Sequence, residues 1–232
     1  MILIIGTGRS GTHWVAHLLQ SHGECAGLLE AEPIFSYATQ MALNPALCSE
    51  LMPRIIEEYK AEVKKTAPRI FFDKSHPNIW NAEALADAFP TARFIGTDRS
   101  VFGTVASMLD HGGVQDWIRR WREYPVPNRF LGIDERNQDI YPSLSLEEQC
   151  ALRWKSHDRR MKDLADILGN RLHVINYETL HAHPRAELER LQAFLRLRTA
   201  FPAPEIRQAS RDSWKTRLSP EQIARIERIV SA

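Results

Sequence analysis

The chain has almost no net charge. Thirty lysines and arginines stand against 29 aspartates and glutamates, a formal +1 over 232 residues. No whole-molecule field therefore draws nucleic acid or a membrane surface, and any anion binding has to be local. Cysteine is nearly as scarce. Cys25, Cys48 and Cys150 lie far apart and form no C-x-x-C, which argues against a zinc site or a disulfide framework and fits a reduced, cytoplasmic setting. No apolar run reaches membrane-spanning length, and strand-like residues begin at Met1 without the basic, apolar and cleavage regions of an export signal. Repeats and low-complexity tracts are missing too. What remains, at 44% hydrophobic, is enough for one sizeable core, so a single domain over 1–232 is expected.

Apolar strand-like runs alternate with longer helical patterns, the mark of a parallel sheet with helical crossovers. The strands expected are "ILIIG", "CAGLL", "IFFDK", "RFIGTD" and "LHVINY". Helices are expected over "GTHWVAHLLQSH", from about Pro45 to Thr66, from Asn78 to Ala88, over "SVFGTVASMLDH" and from about Leu146 to Leu168. Pro68 and Pro90 each stand just before a strand, where a helix has already stopped. From Trp117 to Trp154 the pattern is irregular, and Tyr124 to Ser143, broken by Pro125, Pro127 and Pro142, reads as a long loop of the kind that carries function or moves. The tail "SPEQIARIERIV" reads as an amphipathic helix with a capped start.

One further absence is chemical. "GTGRSGTHW" follows the first strand with Gly6 and Gly11 spaced as in the phosphate loop G-x-x-x-x-G-K-[ST], but Thr12 and His13 stand where the lysine and the magnesium-binding hydroxyl belong. Gly6, Gly8 and Gly11, the loop's N–H groups and the following helix dipole still favour a phosphate or sulfate. The cation has moved to Arg9, inside the loop, which disfavours a magnesium-dependent kinase or ATPase and suits a transferred group held by fixed donors and a guanidinium.

Read together, Arg9, Ser10, Gly11, Thr12 and Trp14 resemble the 5'-phosphosulfate loop of the sulfotransferases that use 3'-phosphoadenosine 5'-phosphosulfate (PAPS); His13 replaces the family's second threonine, and an imidazole N–H can substitute for that hydroxyl. The resemblance implies a three-layer α/β fold like that of P-loop NTPases, with Gly8, Arg9, Ser10, Gly11, Thr12, His13 and Trp14 around the donor. A second stretch, "FIGTDRSVFGTVASML", resembles the family's 3'-phosphate motif, an arginine at a strand end and a serine eight residues later; Arg99 and Ser107 match it. Open α/β sheets bind ligands at such a strand's carboxyl end. "LHVINYETLHAHP" resembles the strand whose closing tyrosine lies beside the adenine, so Tyr177 is its candidate and Trp14 the stacking partner. "SRDSWK" falls where the family has a late basic loop over the 3'-phosphate, which makes Ser210 and Arg211 candidates, although the family's arginine-lysine-glycine is missing.

For the chemistry, "FFDKSHPNIW" matches the lysine-x-histidine of family members that act on small hydroxylated compounds: Lys74 as a cation for the sulfuryl group, together with Arg9, and His76 as base. Other members use a glutamate after the second strand, where this chain has Glu30 and Glu32. A related bacterial pattern of acid, lysine, serine or threonine and proline would make Asp73 and Lys74 structural and His76 incidental. The base is thus open between His76 and the Glu30/Glu32 pair; an imidazole suits the task without a raised carboxylate pKa and is preferred. "HAH" at 181–183 reads as polar loop, since no acid or cysteine constellation makes it a metal pair. "WIRRWREY" reads as a half-buried helix with a solvated face, or else as a border of the acceptor pocket.

The resulting expectation is a cytoplasmic PAPS-dependent sulfotransferase with a small-molecule or saccharide acceptor, needing no metal. Its rivals are a nucleotide kinase on the same loop and a bisphosphonucleotide-binding module that transfers nothing.

Overall fold

The computed structural model describes residues 1–203 and 212–231. Five strands, β1 (Ile2–Gly6), β2 (Cys25–Leu29), β3 (Ile70–Lys74), β4 (Arg93–Asp98) and β5 (Leu172–Asn176), form one sheet in the order β2-β3-β1-β4-β5. All four pairings are parallel. Because the chain leaves β1 to build one half of the sheet and later crosses to β4 for the other half, the carboxyl end of β1 is a topological switch point, where the flanking loops splay apart and leave room for a ligand.

The strand pattern explains the three layers. β1 is buried along its whole length, and alternate side chains leave opposite faces. Leu3 and Ile5 join a core with α2 (Ile34–Leu43), α3 (Cys48–Thr66), α4 (Ala82–Ala88) and the far end of α7 (Leu146–Leu168). Ile2 and Ile4 face α1 (Thr12–Gln20), α8 (Tyr177–Ala182) and α9 (Pro184–Leu195). A third cluster joins α5 (Val101–Leu109), α6 (Gly112–Arg119), residues 117–144, the first half of α7 and α10 (Pro220–Ser231). Two helix starts carry reciprocal caps. Ser145 and Glu148 form a capping box on α7, and the Ser219 hydroxyl accepts from Gln222 N–H at 3.2 Å while the Gln222 side chain accepts from Ser219 N–H at 3.0 Å.

The expected strands are all present, with one change: the last ends at Asn176, and Tyr177 opens α8, whose first turn is capped by the Asn176 side chain. "HAH" is not loop throughout, because His181 lies in α8. The helix expected from Asn78 begins at Ala82; Pro77 sits in a tight 3-10 turn over His76–Trp80 that comes first. α2, α8 and α9 have no counterpart in the sequence reading, and the helix read over "WIRRWREY" lies earlier in the chain, as α6, which ends at Arg119. α2 is short and flanked by proline, so its helical period is too brief to stand out. Ser210 and Arg211 lie outside the described residues.

Candidate active site

Every strand delivers a polar residue at or just beyond its carboxyl end. β1 gives the loop from Thr7 to Gly11, β2 gives Glu30, β3 gives Lys74 and then His76, β4 gives Arg99, and β5 gives Tyr177. The register brings the first of these together: Lys74 pairs with Ile4 on one side and Leu29 on the other, and Gly6 pairs with Thr97.

The loop is held by its own polar groups. The Ser10 hydroxyl bonds the Thr7 carbonyl and sits 2.6 Å from the Thr97 hydroxyl, tying the β1 loop to β4. Gly11 stands at the N-cap of α1 with φ of 102° and no side-chain cap, so the helix's first N–H groups have no protein acceptor supplied by a cap. A Cβ at Gly11 would also stand 2.7 Å from the Tyr177 ring, which leaves no room for a larger residue. Arg9 has φ of 78° and Glu30 φ of 50°, while the third non-glycine residue of this kind among those described, Arg196, merely ends α9. Left-handed backbone in residues with a Cβ costs energy and tends to collect where geometry serves a task.

Two groups of side chains flank this loop. On the β4 side, Arg9 Nε donates to Ser107 Oγ at 3.1 Å and Arg99 Nη1 donates to the Arg9 carbonyl at 3.1 Å. Arg99 is buried, its Cζ 4.3 Å from the centre of the Tyr177 ring, and the Trp154 indole donates to its carbonyl at 3.0 Å. Burial lowers the Arg99 pKa, opposed by Tyr177 and Glu178 and aided by Arg9 and Arg217. Arg217 belongs to the same cationic group. It was missed in the sequence, although it lies in the same late basic stretch as Ser210 and Arg211, and it is held by the Ala106 carbonyl and by Asp110. Trp14, Tyr177 and His181 pack as an aromatic trio, with Trp14 4.7 Å and Tyr177 4.4 Å from His181. Among the described residues no group of three or more side chains is placed to hold a metal ion.

On the β3 side, Lys74 is 1% exposed and its ammonium is paired with Glu30. The same Glu30 oxygen lies 3.1 Å from Nδ1 of His76. Burial alone would raise the Glu30 pKa, but the hydrogen bond from His76 and the charge of Lys74 override it and hold the carboxyl at about 2. Burial pushes His76 down to about 3, with Glu30 opposing and Lys74 and Arg153 reinforcing the shift. The imidazole is therefore neutral near pH 7. With Nδ1–H donated to a carboxylate, the lone pair is on Nε2. That nitrogen is buried, finds no hydrogen-bond partner among the described residues, and points at the loop: a Cβ on Gly8 would stand 2.9 Å from it. His13 is exposed and brings its Nε2 to 3.5 Å from the Lys74 ammonium and 3.8 Å from Glu30, so the residue in place of the hydroxyl joins this cluster. Glu32 is exposed and stands apart from these contacts.

Asp73 lies behind Lys74. It is fully buried and raised to about 7 by desolvation, and it accepts from the Tyr59 hydroxyl at 2.8 Å and from Ser75 at 3.2 Å, while Asn78 donates to Tyr59 at 2.7 Å. This network anchors the turn that carries His76. Trp117 in α6 faces the His76 ring at 6.2 Å, whereas Arg119 and Arg120 are exposed and paired with Asp116 and Glu123. "WIRRWREY" thus combines a solvated face with one side chain that borders the site.

A model of the sulfotransferase family matches residues 2–201. The chain belongs to the sulfotransferase family. Solved sulfotransferases share its fold at low identity. The sulfotransferase domain from the curacin biosynthetic pathway is 16% identical, with a TM-score of 0.62 over 100% of this chain and 96% of that one. The sulfotransferase domain of the Synechococcus PCC 7002 olefin synthase is 17% identical, with a TM-score of 0.58 over 98% and 93%. Mouse sulfotransferase SULT7A1, solved in complex with PAP, is 14% identical, with a TM-score of 0.56 over 98% and 82%. No curated protein matches this sulfotransferase in sequence. Among its described residues no helix is long and apolar enough to cross a membrane.

Proposed function

We propose that this sulfotransferase takes PAPS as donor and transfers its sulfuryl group by in-line displacement to a hydroxyl or amine of a small-molecule or saccharide acceptor, with His76 as the base. The observation that carries the proposal is the pairing of Glu30 with Nδ1 of His76, which leaves a bare Nε2 against Gly8 and beside the buried Lys74 ammonium.

The residues suit the donor's charges. The uncapped start of α1 and the loop N–H groups fit the 5'-phosphosulfate; Arg9, Arg99 and Ser107 fit the 3'-phosphate, and Trp14 and Tyr177 offer aromatic faces to the base. Arg9, expected beside Lys74 at the sulfuryl group, is tied to Ser107, which supports grouping it with the cations proposed for the 3'-phosphate and leaving Lys74 for the transferring group. When bound, PAPS supplies the sulfuryl group and a bisphosphonucleotide as leaving group. The rest of the work falls to side chains. His76 Nε2 accepts the acceptor's proton, and the Glu30 carboxylate stabilises the imidazolium that forms, as a carboxylate does for any histidine base whose other nitrogen it holds. Burial, which pushes His76 down to about 3 in the resting protein, keeps the imidazole neutral and its Nε2 lone pair free to accept a proton. Lys74 and the loop donors offset the charge that develops on the oxygens, the role a metal ion plays in nucleotide triphosphatases. Three free thiols, Cys25, Cys48 and Cys150, support a reducing, cytoplasmic setting.

Calorimetry with 3',5'-bisphosphoadenosine, AMP and magnesium ATP tests the donor assignment. The bisphosphonucleotide should bind far more tightly than AMP; tighter binding of magnesium ATP would return the loop to a kinase-like role and overturn the proposal.

A further inference from the structure

Arg153, on the first half of α7, is 0% exposed, and its Nε and both Nη atoms find no hydrogen-bond partner among the described residues. Its Cζ lies 4.5 Å from the centre of the Phe130 ring and 5.8 Å from that of Trp117. Burial lowers its pKa to about 10, and the groups that oppose the shift are the Cys150 thiol and the Tyr141 hydroxyl, with no carboxylate among them. The guanidinium therefore stays protonated near neutral pH without an anion beside it among the described residues. Taking such an ion out of water costs several kcal/mol, and contacts with two aromatic faces return only part of that. The Tyr141 hydroxyl, close enough to act on the Arg153 charge, is equally buried and equally without a partner among the described residues.

This unpaired cation is adjacent to the reacting end of the site. Trp117 bridges the two, its ring 6.2 Å from that of His76 and 5.8 Å from Arg153 Cζ, and the Arg153 charge acts on His76, His111 and His157 alike. The other charged groups facing this end, Lys74 and Arg9, are cations, and Glu30 is already engaged by Lys74 and His76. Of the walls around Arg153, Phe130 and Tyr141 are buried and Trp117 is half-buried, so the indole is the side through which a ligand would pass.

We propose that Arg153, with the Tyr141 hydroxyl, is the acceptor-specificity determinant of this site: it binds a carboxylate or another oxyanion on the acceptor, placed about one indole width from the hydroxyl or amine that is sulfurylated. The acceptor class is thus an anionic one, of which a hydroxy acid is the simplest member. A guanidinium pairs with such a group through two parallel hydrogen bonds, and doing so in a dry site gives both affinity and orientation. This assignment rests on the sulfotransferase reading above for the chemistry, but not for the binding of the anion.

The test uses a panel of aliphatic and aromatic hydroxy acids against their methyl esters. Direct binding to the full chain is measured by calorimetry, and sulfuryl transfer from PAPS is measured in parallel. Members of matching length should bind and react about 10- to 100-fold better as acids than as esters, the scale of a charge-assisted hydrogen bond. Arg153→Met should erase that ratio, Arg153→Lys should keep part of it, and bisphosphonucleotide affinity serves as the fold control for both. Arg153→Met should also match or exceed the wild type in thermal stability, because it removes a buried unpaired charge; a purely structural arginine would lose stability instead. Equal handling of acids and esters by the wild type, or an acid preference that survives Arg153→Met, would overturn the proposal. If acids bind through Arg153 but no transfer occurs with PAPS, the anion site stands and the donor assignment falls; if transfer proceeds equally to acids and esters, the reverse holds.

Discussion

Glu30→Gln isolates the centre of the site. The carboxylate holds two partners at once, the ammonium of Lys74 and Nδ1 of His76. The amide keeps an acceptor for His76 but carries no charge for Lys74. Removing one member of a buried ion pair costs about 3–5 kcal/mol, since the other charge is left uncompensated. Here Lys74 is 1% exposed but the Glu30 side chain is 27% exposed, so solvent already screens one partner. A loss of about 2–3 kcal/mol at pH 7 is the scaled expectation. The pH dependence gives a sharper signature. In the wild type Glu30 has a folded pKa of about 2 against 4.5 unfolded, so its contribution is present above pH 4.5 and disappears as pH falls toward 2. The variant lacks that acid slope. On the alkaline side the Lys74 pKa, already lowered by burial, falls further once Glu30 is neutralised. The unfolded chain then binds a proton that the folded one does not, so the variant should regain stability as pH rises toward the ordinary lysine value of about 10.4. Urea unfolding from pH 3 to pH 10 reads both slopes. A loss below about 0.5 kcal/mol with an unchanged alkaline slope would show that Lys74 does not depend on Glu30. Turnover should also drop by about 100-fold or more, because an amide does not stabilise the imidazolium.

Three further substitutions separate binding, chemistry and scaffold. Arg99→Ala should weaken 3',5'-bisphosphoadenosine binding by about 10- to 100-fold while leaving AMP affinity nearly unchanged, which calorimetry distinguishes. His76→Ala should lower transfer by about 100- to 10,000-fold and leave nucleotide affinity near that of the wild type; full activity in this variant alongside inactive Glu32→Gln would move the base to the exposed glutamate. Tyr59→Phe should cost about 1–3 kcal/mol in denaturant unfolding, since both Asp73 and Asn78 lose their shared hydroxyl partner inside the core. A change no larger than that of a surface substitution would mean the Asp73 network does not brace the His76 turn.

Much of this site was written locally and so could be read in one dimension. A glycine-spaced loop after a strand, an arginine at the end of another and a lysine-x-histidine after a third are each short stretches whose spacing is set by backbone geometry, and parallel strands alternating with helices leave few topologies. The sequence by itself therefore determined the sheet, the loop and the candidates Arg9, Lys74, His76, Arg99 and Tyr177. It did not determine which partners these side chains keep. Glu30 rather than Glu32 reaches Lys74 and His76 because β2 pairs with β3 in a register that sets Leu29 beside Lys74, and the left-handed turn at Glu30 follows directly after it. Arg217 joins Arg99 from more than a hundred residues away, and His181 leaves the loop expected of it to pack on Trp14 because Tyr177 opens a helix, α8, where a strand end and a loop were expected. Nothing in the sequence distinguishes Arg153 from the other charges of α7. Only the convergence of α6, residues 117–143 and α7 removed it from water and from the carboxylates of the described residues, and the role proposed for it rests on that burial, a property of three packed segments and of none of them singly.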